Sequence, residues 1–146
     1  MKVIKVYLLA IVIILVLISG CISSSCVSER DQEFVKELMY IKQEFIDKSS
    51  ETNITFVQKE QELKDIKREL IQTGKPDNEK LRDAYDKCLS GMDKIIMSAH
   101  WVIWIEESQE RGAPQQDIKK NFDEATKLLQ EGHQLFYEVD IILKDF

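Results

Sequence analysis

The segment PQQDIKKNFDEATKLLQEGHQLFYEVDIILKDF, residues 114–146, decides the fold class of this chain. Its apolar side chains recur at alternating intervals of four and three residues: Ile118, Phe122, Ala125, Leu129, Gly132, Phe136, Val139, Leu143 and Phe146. This rhythm keeps one stripe of an α-helix facing a neighbour and is typical of left-handed, coiled-coil-like packing. A flanking stripe of Leu128, Leu135 and Ile142 predicts contact with two neighbouring helices.

Two further segments of the chain carry helical stripes. One repeats the same rhythm through Leu81, Tyr85, Cys88, Met92, Ile95, Ala99 and Val102. The other has two shorter stripes, formed by Phe34, Leu38, Ile41 and Phe45 and then by Phe56, Leu63, Ile66 and Leu70. Between these shorter stripes, residues 48–53 include poor helix formers, which predicts one long helix with a weak centre.

Two turns separate the predicted helices. The turns are Thr73–Pro76 and Arg111–Pro114, and each combines a glycine that ends a helix with a proline that suits the first turn of the next. The predicted helices are therefore residues 29–72, 77–110 and 114–144. Because short connections make successive helices antiparallel neighbours, we expect an all-α fold: an elongated antiparallel three-helix bundle over residues 29–146, preceded by a signal or anchor segment.

The predicted bundle is acidic. Lys2 and Lys5 account for two of the 20 basic residues, whereas all 26 acidic residues follow position 28, so residues 29–146 carry a net charge of about −8. Such a domain repels the phosphates of nucleic acids, which argues against a nucleic acid partner.

The N-terminus has the pattern of a secretory signal. Lys2 and Lys5 precede an apolar run from Val6 to Ile18, which is short for a comfortable membrane span. The run ends in Ile18-Ser19-Gly20-Cys21, which resembles the lipobox of prokaryotic surface lipoproteins; the Ile-, Lys- and Glu-rich composition favours an archaeal source.

This resemblance implies a removable signal in residues 1–20 and lipidation of Cys21, with residues 21–28 as a Ser-rich tether. The alternative is an uncleaved transmembrane anchor. Both interpretations place residues 29–146 on the extracytoplasmic face of the cell membrane. Cys26 lies in the tether, where it is free, acylated or paired with another chain.

The candidate partner surface lies in residues 95–105, which are apolar almost all the way round the helix. It comprises His100, Trp101, Trp104 and Ile105, since tryptophan is enriched at binding hot spots. The structural alternative is that this helix is sandwiched between neighbours and the tryptophans cover their edges. Asn53, in the sequon Asn53-Ile54-Thr55, is a candidate glycosylation site.

No catalytic motif or metal-ligand pattern is evident in the sequence, so we expect a non-enzyme without a cofactor. Cys88 lies on the apolar stripe and is expected to pack as a small hydrophobe rather than pair with His133. The predicted function is a membrane-anchored binding or structural module for a protein or cell-envelope partner. The alternative is an accessory subunit, or a ligand-binding or enzymatic component, with a pocket between helices.

Overall fold

The computed structural model describes residues 27–146, which form four α-helices joined by short turns. The helices are α1, Glu29–Ser50; α2, Phe56–Thr73; α3, Glu79–Glu110; and α4, Gln115–Leu143. The predicted all-helical fold is confirmed. The signal or anchor segment, Cys21 and Cys26 lie outside the described residues.

The prediction of one long first helix is wrong, because the chain leaves the helical conformation at residues 51–55. The hydroxyls of Ser49 and Ser50 both donate to the Ile46 carbonyl oxygen, which competes with continued helix formation. A new helix then starts at a capping box, in which Thr55 accepts from the Gln58 backbone N–H and the Gln58 side chain accepts from the Thr55 N–H.

The turn at residues 51–55 makes α1 and α2 antiparallel neighbours, so the described residues form four helices and not three. The Lys48 ammonium lies 2.9 Å from the Glu62 carboxylate across this turn. At the other end of α1, Asn78 donates to Asp31 at 3.4 Å. The helices therefore run up, down, up and down, as in an antiparallel bundle.

The two predicted turns after α2 and α3 are present. Gly74 and Gly112 end these helices with φ angles of +81° and +74°, which residues other than glycine rarely adopt. Helix α3 contacts the other three helices and its packing against α4 is the most extensive. The core includes Phe45, Leu63, Leu81, Cys88, Met92, Phe136 and Val139.

The bundle has two distinct ends. Ser28, the turn at residues 74–78 and Phe146 lie at one end, where Lys80 and Asp145 form an ion pair at 3.1 Å. We call this the proximal end, because α1 begins here. The distal end is the α3–α4 turn at residues 111–114.

Helix α1 ends at Ser50 and α2 begins at Phe56, so both stop short of the distal end, to which α3 and α4 extend. This corrects the predicted stripe of α4, in which Phe122 and Leu129 were expected to be buried. Phe122 is 59% exposed and Leu129 is 38% exposed, while Leu128 of the flanking stripe is buried. Both exposed side chains lie in the space that α1 would fill if it continued past Ser50.

Candidate functional site

The two tryptophans of the predicted partner surface lie one turn apart on α3 and contact each other. Their ring centroids are 5.9 Å apart and their planes meet at 77°, an edge-to-face arrangement. Trp104 is 37% exposed and Trp101 is half-buried. With His100 and Asn121 they line an open cleft of about 320 Å³, which we call the tryptophan cleft.

His100 connects the tryptophan cleft to α2. Its exposed ring lies with Nδ1 3.5 Å from Oε2 of Glu60. Burial raises the pKa of Glu60, but hydrogen bonds and charge attraction from Lys64 and His100 outweigh it, so the pKa is lower than usual. Glu60 therefore places a carboxylate beside the cleft.

Ile105 does not belong to the exposed surface that the sequence predicted. It is only 6% exposed, and it is part of the buried side of α3. Asn121 of α4, which sequence reasoning missed, lines the cleft instead. Its position depends on the α3–α4 register, where the Ser98 hydroxyl donates to the Ala125 carbonyl oxygen at 2.8 Å.

A second depression, which we call the distal groove, lies where α1 ends. It has a volume of about 240 Å³ and its walls come from all four helices. The side chains that line it are mainly apolar and include Phe56, Leu63, Val102, Phe122 and Leu129. Lys59 lies at its edge, with its ammonium 5.2 Å from the centroid of Phe56 and donating to the Ser49 carbonyl oxygen.

The predicted packing role of Cys88 agrees with its position in the core. The thiol is fully buried and unpaired. Burial raises its pKa to about 12, with a smaller opposing effect from Lys42. His133 is exposed and contacts Phe136 edge to face, so it lies on the surface and not in the core with Cys88.

Asn53 lies in the turn between α1 and α2, and its side chain is exposed. Thr55, the third residue of the sequon, has a separate structural role because its hydroxyl caps α2. The position is therefore accessible to a modifying enzyme, whereas the sequon's threonine is needed by the fold.

Residues 27–146 contain neither a membrane-spanning helix nor a cluster of metal-ligating side chains. None of the helices there is both long enough and apolar enough to cross a membrane. This part of the chain also has no group of three or more His, Cys, Asp or Glu side chains arranged to hold a metal ion.

Comparison of the chain with protein-family models, with curated proteins and with solved structures finds no match.

Proposed function

We propose that this chain is a lipid-anchored extracytoplasmic module that binds a protein or cell-envelope partner through His100, Trp101 and Trp104. The observation that carries the proposal is the tryptophan cleft, in which two indole rings are held together at an open surface. Aromatic side chains that are rigidly placed and partly exposed supply binding energy at little cost in conformational entropy.

The position of the cleft supports a partner other than the anchoring membrane. Trp101 lies 23 residues along α3 from its N-cap, Asn78, which is beside the first turn of α1. At a helical rise of 1.5 Å per residue, this separation is about 35 Å. A module anchored at Cys21 would therefore present its tryptophans away from the membrane.

Recovery of partners from native membranes tests the proposed surface. We expect the Trp101→Ala/Trp104→Ala variant to recover partners at a level at least about tenfold lower, because two hot-spot side chains are removed. Tyr137→Ala/Ile141→Ala is the matched control, since it removes two exposed apolar residues of α4. Equal recovery by all three proteins would refute the proposed surface.

The anchor is tested separately by the mass of the mature N-terminus. A lipid-modified Cys21 as the first residue is expected, and Cys21→Ser should abolish the modification. A mature chain that retains Met1 without lipid would contradict the lipoprotein interpretation and leave the uncleaved anchor.

The distal groove favours one second function, a ligand-binding component for an apolar molecule. Its apolar lining and its position between helices are common properties of small-molecule sites. Saturable binding of an apolar fluorescent dye, lost in Phe122→Asp and kept in Tyr137→Asp, is the expected result for this function. Dye binding that survives Phe122→Asp would exclude the groove.

A further inference from the structure

The tryptophan cleft has the properties of a site for a positively charged group. The face of an indole ring carries negative charge density and attracts cations more strongly than the other aromatic side chains. Two indoles at 77° present faces in different directions around one cleft. Within residues 27–146, the cation–π contact is that of Lys59 with Phe56, so neither indole is paired with a cation of this part of the chain.

The charges around the cleft also favour a cation. Asn121 of α4 has Asp117 four residues before it and Glu124 three residues after it, and both are exposed. Residues at these spacings are surface neighbours on a helix. Lys120 directly precedes Asn121 in the sequence, so this part of α4 carries the two carboxylates of Asp117 and Glu124 against the one ammonium group of Lys120. The net charge of about −8 for the bundle adds long-range attraction of the same sign.

We infer that the tryptophan cleft binds an arginine side chain presented by the partner, an inference that rests on the proposed function. The planar guanidinium stacks on an indole face and is more weakly hydrated than an ammonium group. The exposed carboxylates of Asp117 and Glu124, one helical turn on either side of Asn121, are available to pair with the guanidinium N–H groups. The partner surface is therefore basic, in contrast to the acidic bundle.

Fluorine NMR of the full chain in a nonionic detergent tests this inference. The chain has only two tryptophans, so 5-fluorotryptophan labelling gives two signals, which Trp101→Phe and Trp104→Phe assign. We expect N-acetyl-arginine amide to shift both signals saturably. N-acetyl-citrulline amide has the same shape without the charge, and it should bind at least about threefold more weakly.

A charge-matched pair of variants separates local from overall attraction. Asp117→Asn/Glu124→Gln should weaken binding of the arginine amide at least about twofold. Glu33→Gln/Glu37→Gln removes the same charge from exposed positions of α1 and should leave binding unchanged. Equal binding of the arginine and citrulline amides, or no saturable shift with either, would overturn the inference.

The two proposals fail in different ways. Partner recovery that depends on the tryptophans, combined with equal binding of both amides, would retain the proposed function and reject the arginine. Partner recovery unaffected by Trp101→Ala/Trp104→Ala would reject the proposed function, whichever amide binds.

Discussion

Helices α3 and α4 approach each other closely at two glycines. A Cβ atom on Gly132 would lie 2.6 Å from the Ile95 Cγ1 atom and 2.9 Å from the Gly91 carbonyl oxygen. A Cβ atom on Gly91 would meet Phe136 at 2.9 Å. Because glycine has no side chain, the two helix backbones contact each other directly at these positions, and neither position has room for a methyl group. This contact sets the register that brings Asn121 to the tryptophan cleft.

Gly132→Ala tests this contact. In an exposed helix the change would stabilise the protein by about 1 kcal/mol, because alanine has the higher helix propensity. Here we expect the free energy of unfolding to fall by about 1–3 kcal/mol, since the methyl group overpacks the α3–α4 contact. Urea denaturation measures the effect, with the exposed Gln130→Ala as the control on the same helix. A gain in stability for Gly132→Ala would contradict this prediction, because it would mean that α3 and α4 can move apart to accommodate the methyl group at little cost.

Cys88 provides a second test at the level of single residues. Its buried thiol, with a pKa raised to about 12, should resist N-ethylmaleimide in the native protein at about pH 8 and react fully in urea. Peptide mass mapping locates the modification and separates Cys88 from Cys21 and Cys26. Rapid native modification of Cys88 would show that the core opens around it.

The helices show how much of the fold the sequence predicts. The predicted boundaries near residues 77, 110, 114 and 144 agree closely with α3 and α4, because glycine and proline mark both turns. The break at residues 51–55 contains neither residue, and an apolar stripe with helical spacing lies on each side of it. The missed signal was Thr55-x-x-Gln58, a capping box that starts a helix within a weak segment.

Thr55→Ala tests the start of α2. Loss of the cap leaves the backbone N–H of Gln58 without its acceptor, and we expect a loss of about 1 kcal/mol in the free energy of unfolding. Thr52→Ala changes an exposed threonine of the same turn and is expected to have little effect. Equal losses in the two variants would show that the cap contributes nothing beyond the general properties of the turn.

The early end of α1 makes two phenylalanines of α4 differ, although the sequence places them on the same stripe. Phe136 is 2% exposed and packs edge to face with Phe45, whereas Phe122 is 59% exposed in the distal groove. Phe136→Ala should cost about 3–5 kcal/mol of unfolding free energy, the range for a buried phenylalanine. Phe122→Ala should cost less than about 1 kcal/mol. Similar losses would indicate that the groove is covered in the folded chain.

At the level of the whole molecule, ion pairs connect the helices outside the core. Lys87 with Glu138 and Lys94 with Glu131 join α3 to α4, and Lys67 with Asp93 joins α2 to α3. The sequence does not reveal these pairs, because each depends on the register between helices. The tryptophan cleft also depends on the register between helices. The sequence of α3 alone predicts its two tryptophans, but Asn121 on the opposite side belongs to α4 and could not be assigned without the packing of the two helices.

These ion pairs predict a pH dependence of stability. Hydrogen bonds from Lys94 and Lys87 lower the pKa of Glu131 and Glu138 below the usual 4.5 in the folded protein. As the pH falls below about 4.5, carboxylates of the unfolded chain take up protons first, so the unfolding free energy decreases through that window.

Lys87→Gln/Lys94→Gln should be less stable than Lys119→Gln/Lys120→Gln near neutral pH, because only the first pair of changes removes ion pairs. The difference should disappear once the folded carboxylates are protonated. Urea denaturation from about pH 6 to about pH 3 measures it. A difference that stays constant over this range would mean that these carboxylates titrate alike in the folded and unfolded chains.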